Sequence, residues 1–192
     1  KHVCDARKGE PIFGMTMIIF KGRTVLVADT NVEDFPSSER LVEISKSCVR
    51  VSKLFGFDPK VAFLSHSTFG KPISRNTKHV RDAIEILKEE KVDFDFDGEM
   101  QPDVALNPIY QDIYPFSKIV GKANILIMPA LHSAAISTKL MKSFGGAKLI
   151  GPLLIGLDLP IEVAPLRSST SDILNLASIA AYSADVIDYN KD

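Results

Sequence analysis

The polar decade Lys1–Glu10 leads into an apolar, β-rich run, Ile12–Phe20, and a second such run, Arg23–Asp29. Lys21-Gly22 separates them, a spacing that predicts a hairpin. Pro36-Ser37-Ser38-Glu39 then sets serine ahead of an acidic first turn, which marks a helix start. Leu41, Ile44, Cys48, Val51 and Leu54 or Phe55 recur at helical spacing, and Gly56 is the stop. Val61–Leu64 reads as a strand, followed by a polar loop, Ser65-His66-Ser67-Thr68-Phe69-Gly70. Thr77–Glu90 is amphipathic, with Val80, Ala83, Ile84 and Leu87 on one face. Phe94 and Phe96 alternate with Asp93, Asp95 and Asp97, the pattern of a short strand exposed on one side. Pro102 opens a short helix or turn. Asn124–Met128 reads as a strand, Pro129–Ser133 as a loop, and Ala134–Phe144 as a helix.

The stretch from Gly145 to Asp172 organises the rest. Gly145-Gly146 closes the preceding helix. Short apolar runs, Leu149-Ile150 and Leu153-Leu154-Ile155, are bounded by Gly151-Pro152 and Gly156, as buried strands are. A polar turn, Arg167–Ser171, precedes a last helix, Asp172–Val186. Strands alternating with helices predict an α/β fold: three layers, a mostly parallel sheet covered on both faces, and the hairpin as an antiparallel addition at one edge.

Composition changes this picture little. The 192 residues are 45% apolar and 24% charged, enough for a packed core. A net charge of −1 gives no bulk attraction to nucleic acid or membrane. No apolar run reaches the roughly 18 residues a membrane span needs. Cys4 and Cys48 lie far apart without metal-type spacing, which reads as a reduced, cytoplasmic protein. The chain opens on Lys1 rather than methionine and reads as part of a longer polypeptide.

Four sites carry candidate chemistry. Asp93-x-Asp95-x-Asp97-Gly98 imitates half of a calcium loop, but Val104 stands where the closing glutamate belongs, so a polar strand face is the better reading. Ser65–Gly70 follows a strand and offers Ser67 and Thr68; it fits an anion-binding loop or an ordinary turn equally well. His132-Ser133 lacks a nucleophile elbow, and Ser133 reads as a helix cap. Ser169 and Asp172 have capping-box spacing, yet hydroxyls and a carboxylate at a helix start could also meet a substrate.

Several segments, in order, resemble the phosphate acetyltransferase family over essentially the whole chain. They are Ala28-Asp29, Leu64–Thr68, Val80-Arg81-Asp82-Ala83, Asp97-Gly98-Glu99-Met100-Gln101, Asp103-x-Ala105-Leu106, Ala123-Asn124, Met128-Pro129, Gly151–Leu157 with Pro160, and Asp172-Ile173-Leu174-Asn175. The resemblance implies that residues 1–163 form the inner subdomain of that fold. It implies that residues 164–192 form a helical segment returning toward a first subdomain that would precede Lys1. It also implies a homodimer or higher homo-oligomer.

Members that transfer acetyl groups carry a Ser-Arg-Gly turn, which falls here on Pro165-Leu166-Arg167. Ala130, His132 and Ala135 replace Asp, Asn and Asn. With these departures the chain resembles the carboxy-terminal domain of the large bacterial NADP-dependent malic enzymes. The resemblance implies a regulatory domain that binds acetyl-coenzyme A without turning it over, on the same polypeptide as a malic enzyme core. The sites for NADP, malate and Mg or Mn would then precede Lys1. Candidate effector residues are Ser67, Thr68, Arg167, Ser168, Ser169 and Asp172, with no catalytic or metal-binding residue expected in this stretch.

Overall fold

The computed structural model of the chain describes residues 4–189; the outermost ends of the two expected segments, residues 1–3 and 190–192, lie outside the described residues. Lys21 and Gly22 take φ of 47° and 73°. A tight turn of this kind matches the twist of the strands it joins. It links β1 (Phe13–Phe20) to β2 (Arg23–Ala28), with Met15 opposite Ala28 and Phe20 opposite Arg23. α1 (Ser38–Leu54) starts where the Arg40 N–H donates to Ser37 Oγ at 3.2 Å. The order continues with β3 (Lys60–Leu64), α2 (Lys78–Glu90), β4 (Asp95–Met100), α3 (Pro102–Leu106), β5 (Ile125–Ile127), α4 (Leu131–Gly145), β6 (Lys148–Ile155), β7 (Ile161–Glu162) and α5 (Thr170–Tyr189).

Among the described residues seven strands form one sheet, in the order β4-β3-β5-β2-β1-β6-β7. β4, β3, β5 and β2 are parallel neighbours; β1 opposes β2 and β6, and β7 opposes β6. Five strands thus share one direction and two run against it. Alternate residues feed two cores, because successive side chains of a strand point to opposite faces. Phe13, Met15, Leu26, Val61, Phe63 and Ile125 pack with α1, α2 and Leu176 of α5. Ile18, Val27, Ala62, Leu126 and Met128 pack with Ala105 of α3 and Ala134 of α4. The three-layer, mostly parallel α/β class expected from the pattern is the observed one.

Several details differ from expectation. The β1–β2 hairpin lies inside the sheet, not at its edge: β2 takes β5 and β1 takes β6 as outer neighbours. The near-continuous apolar run of β1 is buried on both faces, which suits an interior strand. β4 is not exposed on one side, since Asp97 and Glu99 are buried at 8% and 1% exposure. Their carboxyl groups find partners inside the chain. α4 begins at Leu131, so Ser133 lies within the first turn and Ala130 is the N-cap, without a side-chain bond. The two apolar runs around Gly151-Pro152 are one strand, β6, whose register against β1 shifts between Met15 and Met17. A bulge there accommodates the proline, which cannot donate to a ladder.

Gly156 fastens the end of β6 to the chain's start. Its φ is +88°, and a Cβ there would lie 2.1 Å from the Pro11 carbonyl oxygen. Gly22 also has positive φ, but nothing stands within 4 Å of its missing Cβ. Gly156→Ala is therefore expected to lose about 3 kcal/mol of unfolding free energy in urea, against about 1 kcal/mol for Gly22→Ala.

Candidate functional site

β3 and β5 are parallel neighbours whose chains leave in opposite directions. After β3 the chain passes through α2 to β4; after β5 it passes through α4 to β6. Such a switch point opens a crevice outside the carboxyl ends of the strands, where α/β proteins hold ligands. The segments after β2, β3 and β5 border it: Asp29–Glu33, Ser65–Lys71 and Pro129–His132. His79 of α2 reaches across, its Nε2 donating to the Pro129 carbonyl at 2.9 Å and its ring 4.6 Å from that of Phe35.

Glu99 is the centre of the β3 loop. Its Oε1 accepts the Ser67 hydroxyl at 2.8 Å, the Gly70 N–H at 3.1 Å and Arg81 Nη1 at 3.4 Å. Its backbone carbonyl accepts the Phe69 N–H at 2.7 Å. Arg81 is fixed in turn by Thr77 Oγ1 at 2.6 Å and the Ser74 carbonyl at 2.8 Å. Other loop donors also turn inward: Ser65 N–H to the Met100 carbonyl, Ser67 N–H to Ser65 Oγ, and Thr68 and Lys71 N–H to each other's carbonyls. The loop thus closes around a carboxylate supplied by the chain. Ser67 is fully buried, and Thr68 Oγ1 accepts the Gln101 N–H at 3.2 Å. His66 is exposed on the outer side of the loop.

Asp29 plays a parallel part at the end of β2. At 2% exposure it accepts the N–H groups of Gly14, Asn31, Val32 and Glu33, at 2.8 to 3.2 Å. It fixes the turn into α1. Asp97, from the calcium-like pattern, accepts the N–H groups of Gly98 and Lys118 at 2.9 and 2.7 Å, as a structural acid does. Among the described residues no group of three or more His, Cys, Asp or Glu is placed to hold a metal ion.

The turn before α5 lies elsewhere. Ser169 and Asp172 form the capping box: the Ser169 N–H and hydroxyl donate to Asp172 Oδ2 at 2.9 and 2.8 Å, and the Asp172 N–H donates back to Ser169 Oγ at 3.2 Å. The Ser169 N–H, then its hydroxyl, hold the Asp172 carboxyl below the usual range. Ser168 Oγ donates to the Pro165 carbonyl at 2.7 Å. Leu166 and Arg167 are exposed, and Arg167 makes no hydrogen bond or ion pair with the described residues. Four strands, β5, β2, β1 and β6, stand between β3 and β7. That is about 24 Å at ~4.8 Å per strand. The structure therefore brings Ser67 to Thr68 and Arg167 to Asp172, but it does not join the two groups.

Sequence reasoning missed Glu99 as the partner of Ser67 and Arg81 as a partner of Glu99. Among the alternating acids of β4 nothing singled out Glu99, and Arg81 lies on the preceding helix, α2. A cleft of about 430 Å³ between α1 and the start of β4 is a poorer candidate. Its cations Lys46, Arg50 and Lys53 are already paired with Glu90, Glu10 and Asp93.

The profile of the phosphate acetyl/butaryl transferase family matches residues 3–181. The chain belongs to that family. It is 47% identical to an NADP-dependent malic enzyme of Rhizobium meliloti over 96% of its own length and 24% of the relative's. It is 35% identical to a phosphate acetyltransferase of Bacillus subtilis over 82% of its length and 49% of that protein. The crystal structure of a phosphotransacetylase from Streptococcus pyogenes superposes with a TM-score of 0.87 at 32% identity, covering 95% of this chain and 56% of that one. The chain thus spans about a quarter of these malic enzymes and about half of the phosphate acetyltransferases. Among the described residues no helix is long and apolar enough to cross a membrane.

The family's β3 loop stands here on a buried carboxylate. Ser67→Ala removes a hydroxyl donor from Glu99 and is expected to cost about 2 kcal/mol in urea unfolding. Ser168→Ala, at a half-buried turn, should cost about 0.5 kcal/mol or less.

Proposed function

We propose that this chain is the regulatory, phosphate acetyltransferase-like part of a cytoplasmic NADP-dependent malic enzyme, and that it binds acetyl-coenzyme A without transferring the acetyl group. The observation that carries this reading is the connector between β7 and α5. Pro165 and Leu166 stand where transferring members place serine and arginine. A guanidinium there would stabilise oxyanion charge as it develops, and a hydroxyl would position the thiol; proline and leucine do neither. The scaffold around them is kept, as the 47% identity to the Rhizobium meliloti enzyme supports. NADP and Mg or Mn belong to the malic enzyme core, and no residue here is assigned to them.

In this reading Arg167, Ser168, Ser169 and Asp172 meet one end of the effector. Ser67 and Thr68 hold the crevice loop that faces the other end. A ligand touching both must be long, as coenzyme A is. Two other readings have specific support. Identity to the Bacillus subtilis phosphate acetyltransferase and the unpaired Arg167 favour a working acetyltransferase with a displaced arginine. Exposed Ile136, Leu140 and Phe144, spaced four apart on α4, favour a dimerising scaffold.

Acetyl transfer between acetyl phosphate and coenzyme A, measured on the intact protein, is expected to be undetectable, while calorimetry detects acetyl-coenzyme A binding. Arg167→Ala should weaken that binding about tenfold, the loss of one charge-assisted contact. Robust turnover would replace this reading with the acetyltransferase. Dimerisation without any acetyl-coenzyme A binding would leave the scaffold.

A further inference from the structure

Among the described residues, the buried side-chain polar atoms without a hydrogen-bond partner are Glu162 Oε2 and Asn175 Nδ2. Glu162 is in β7 and Asn175 in α5, two elements packed against each other. Buried polar atoms are nearly always paired, so two orphans on adjoining elements call for a physical account. β7 is the last strand of the sheet and has only two residues, joined to β6 by the pairs Leu153–Glu162 and Leu154–Ile161. The connector 163–169 runs from it to α5. α5 is held by Leu176 in the core and by Tyr182, whose hydroxyl donates to the Leu54 carbonyl at 2.9 Å.

We propose that the seam between β7 and α5 is a proton-operated latch: a neutral Glu162 lets α5 lie closed on the sheet edge, and loss of its proton frees the connector and the first turns of α5. An ionised carboxylate needs water, donors or a cation. β6 carries one charged residue, the exposed Lys148, and the β6–β7 connection carries the exposed Asp158. On α5 the described titratable side chains are Asp172, bonded in its capping box, and Tyr182, bonded to Leu54. No charged neighbour contributes to the behaviour of Glu162. Burial pushes its carboxyl up to about 8, opposed only by the Leu154 N–H.

The sign follows from linkage. In the open form Glu162 titrates near its ordinary value of 4.5, and in the closed form near about 8. Between those values the closed form holds a proton that the open form lacks. Closure is therefore strongest in acid, weakens as pH rises through this window, and levels off above about 8. The latch goes beyond effector binding and needs no ligand, so its test is independent of the proposed function.

Hydrogen–deuterium exchange on the intact protein, corrected for the intrinsic pH dependence of amide exchange, reads opening across residues 163–176. Opening should rise about tenfold or more between about pH 6 and pH 8. In Glu162→Gln, a neutral isostere, it should stay flat over that range. A flat wild-type profile, or a variant as steep as wild type, overturns the latch. A carbon-13 titration of the Glu162 carboxyl decides the matter even if the variant folds poorly. A midpoint near 8 supports the latch, and one near 4.5 overturns it.

Discussion

The carboxylate of Glu99 is the constraint on which the crevice depends. Taking an acid out of water costs several kcal/mol unless donors and a cation replace the solvent. Here Ser67 and Gly70 of the β3 loop and Arg81 of α2 supply them. Satisfying one buried charge therefore sets the path of the β3 loop and the rotamer of Arg81 together. Asp29 does the same for the β2 loop with backbone donors alone. Two of the three segments bordering the crevice are thus organised by buried acids.

The other candidate region is built in the opposite way. The connector from β7 to α5 rests on local bonds: a capping box, a Ser168–Pro165 contact and a two-residue edge strand. Leu166 and Arg167 project into solvent. The turn exposes Pro165 and Leu166, neither of which offers a side-chain hydrogen-bond donor. Local opening is also least costly where few tertiary bonds must break.

Much of this was legible in the residues. Ser37, Gly56 and Gly146 marked helix ends because caps act through neighbouring backbone groups. The four apolar positions of α2 were all buried, since helical spacing puts them on one face. The capping box of Ser169 and Asp172 formed as spaced. Ser133 failed as a cap because Leu131 and His132 could already join the helix, with Ala130 extended before them. The interior place of the hairpin was missed because strand order depends on pairings far apart in the chain.

The sequence by itself determined the local elements, the α/β class and the family, since these rest on spacing, turn chemistry and ordered motifs. Tertiary structure alone decided that Glu99 meets Ser67 across 32 positions, that the hairpin lies inside the sheet, and that Glu162 Oε2 and Asn175 Nδ2 find no partner among the described residues. The physical reason is that burial and long-range pairing exist only after the strands have assembled. Until then a glutamate at a strand end is indistinguishable from any other acid in water.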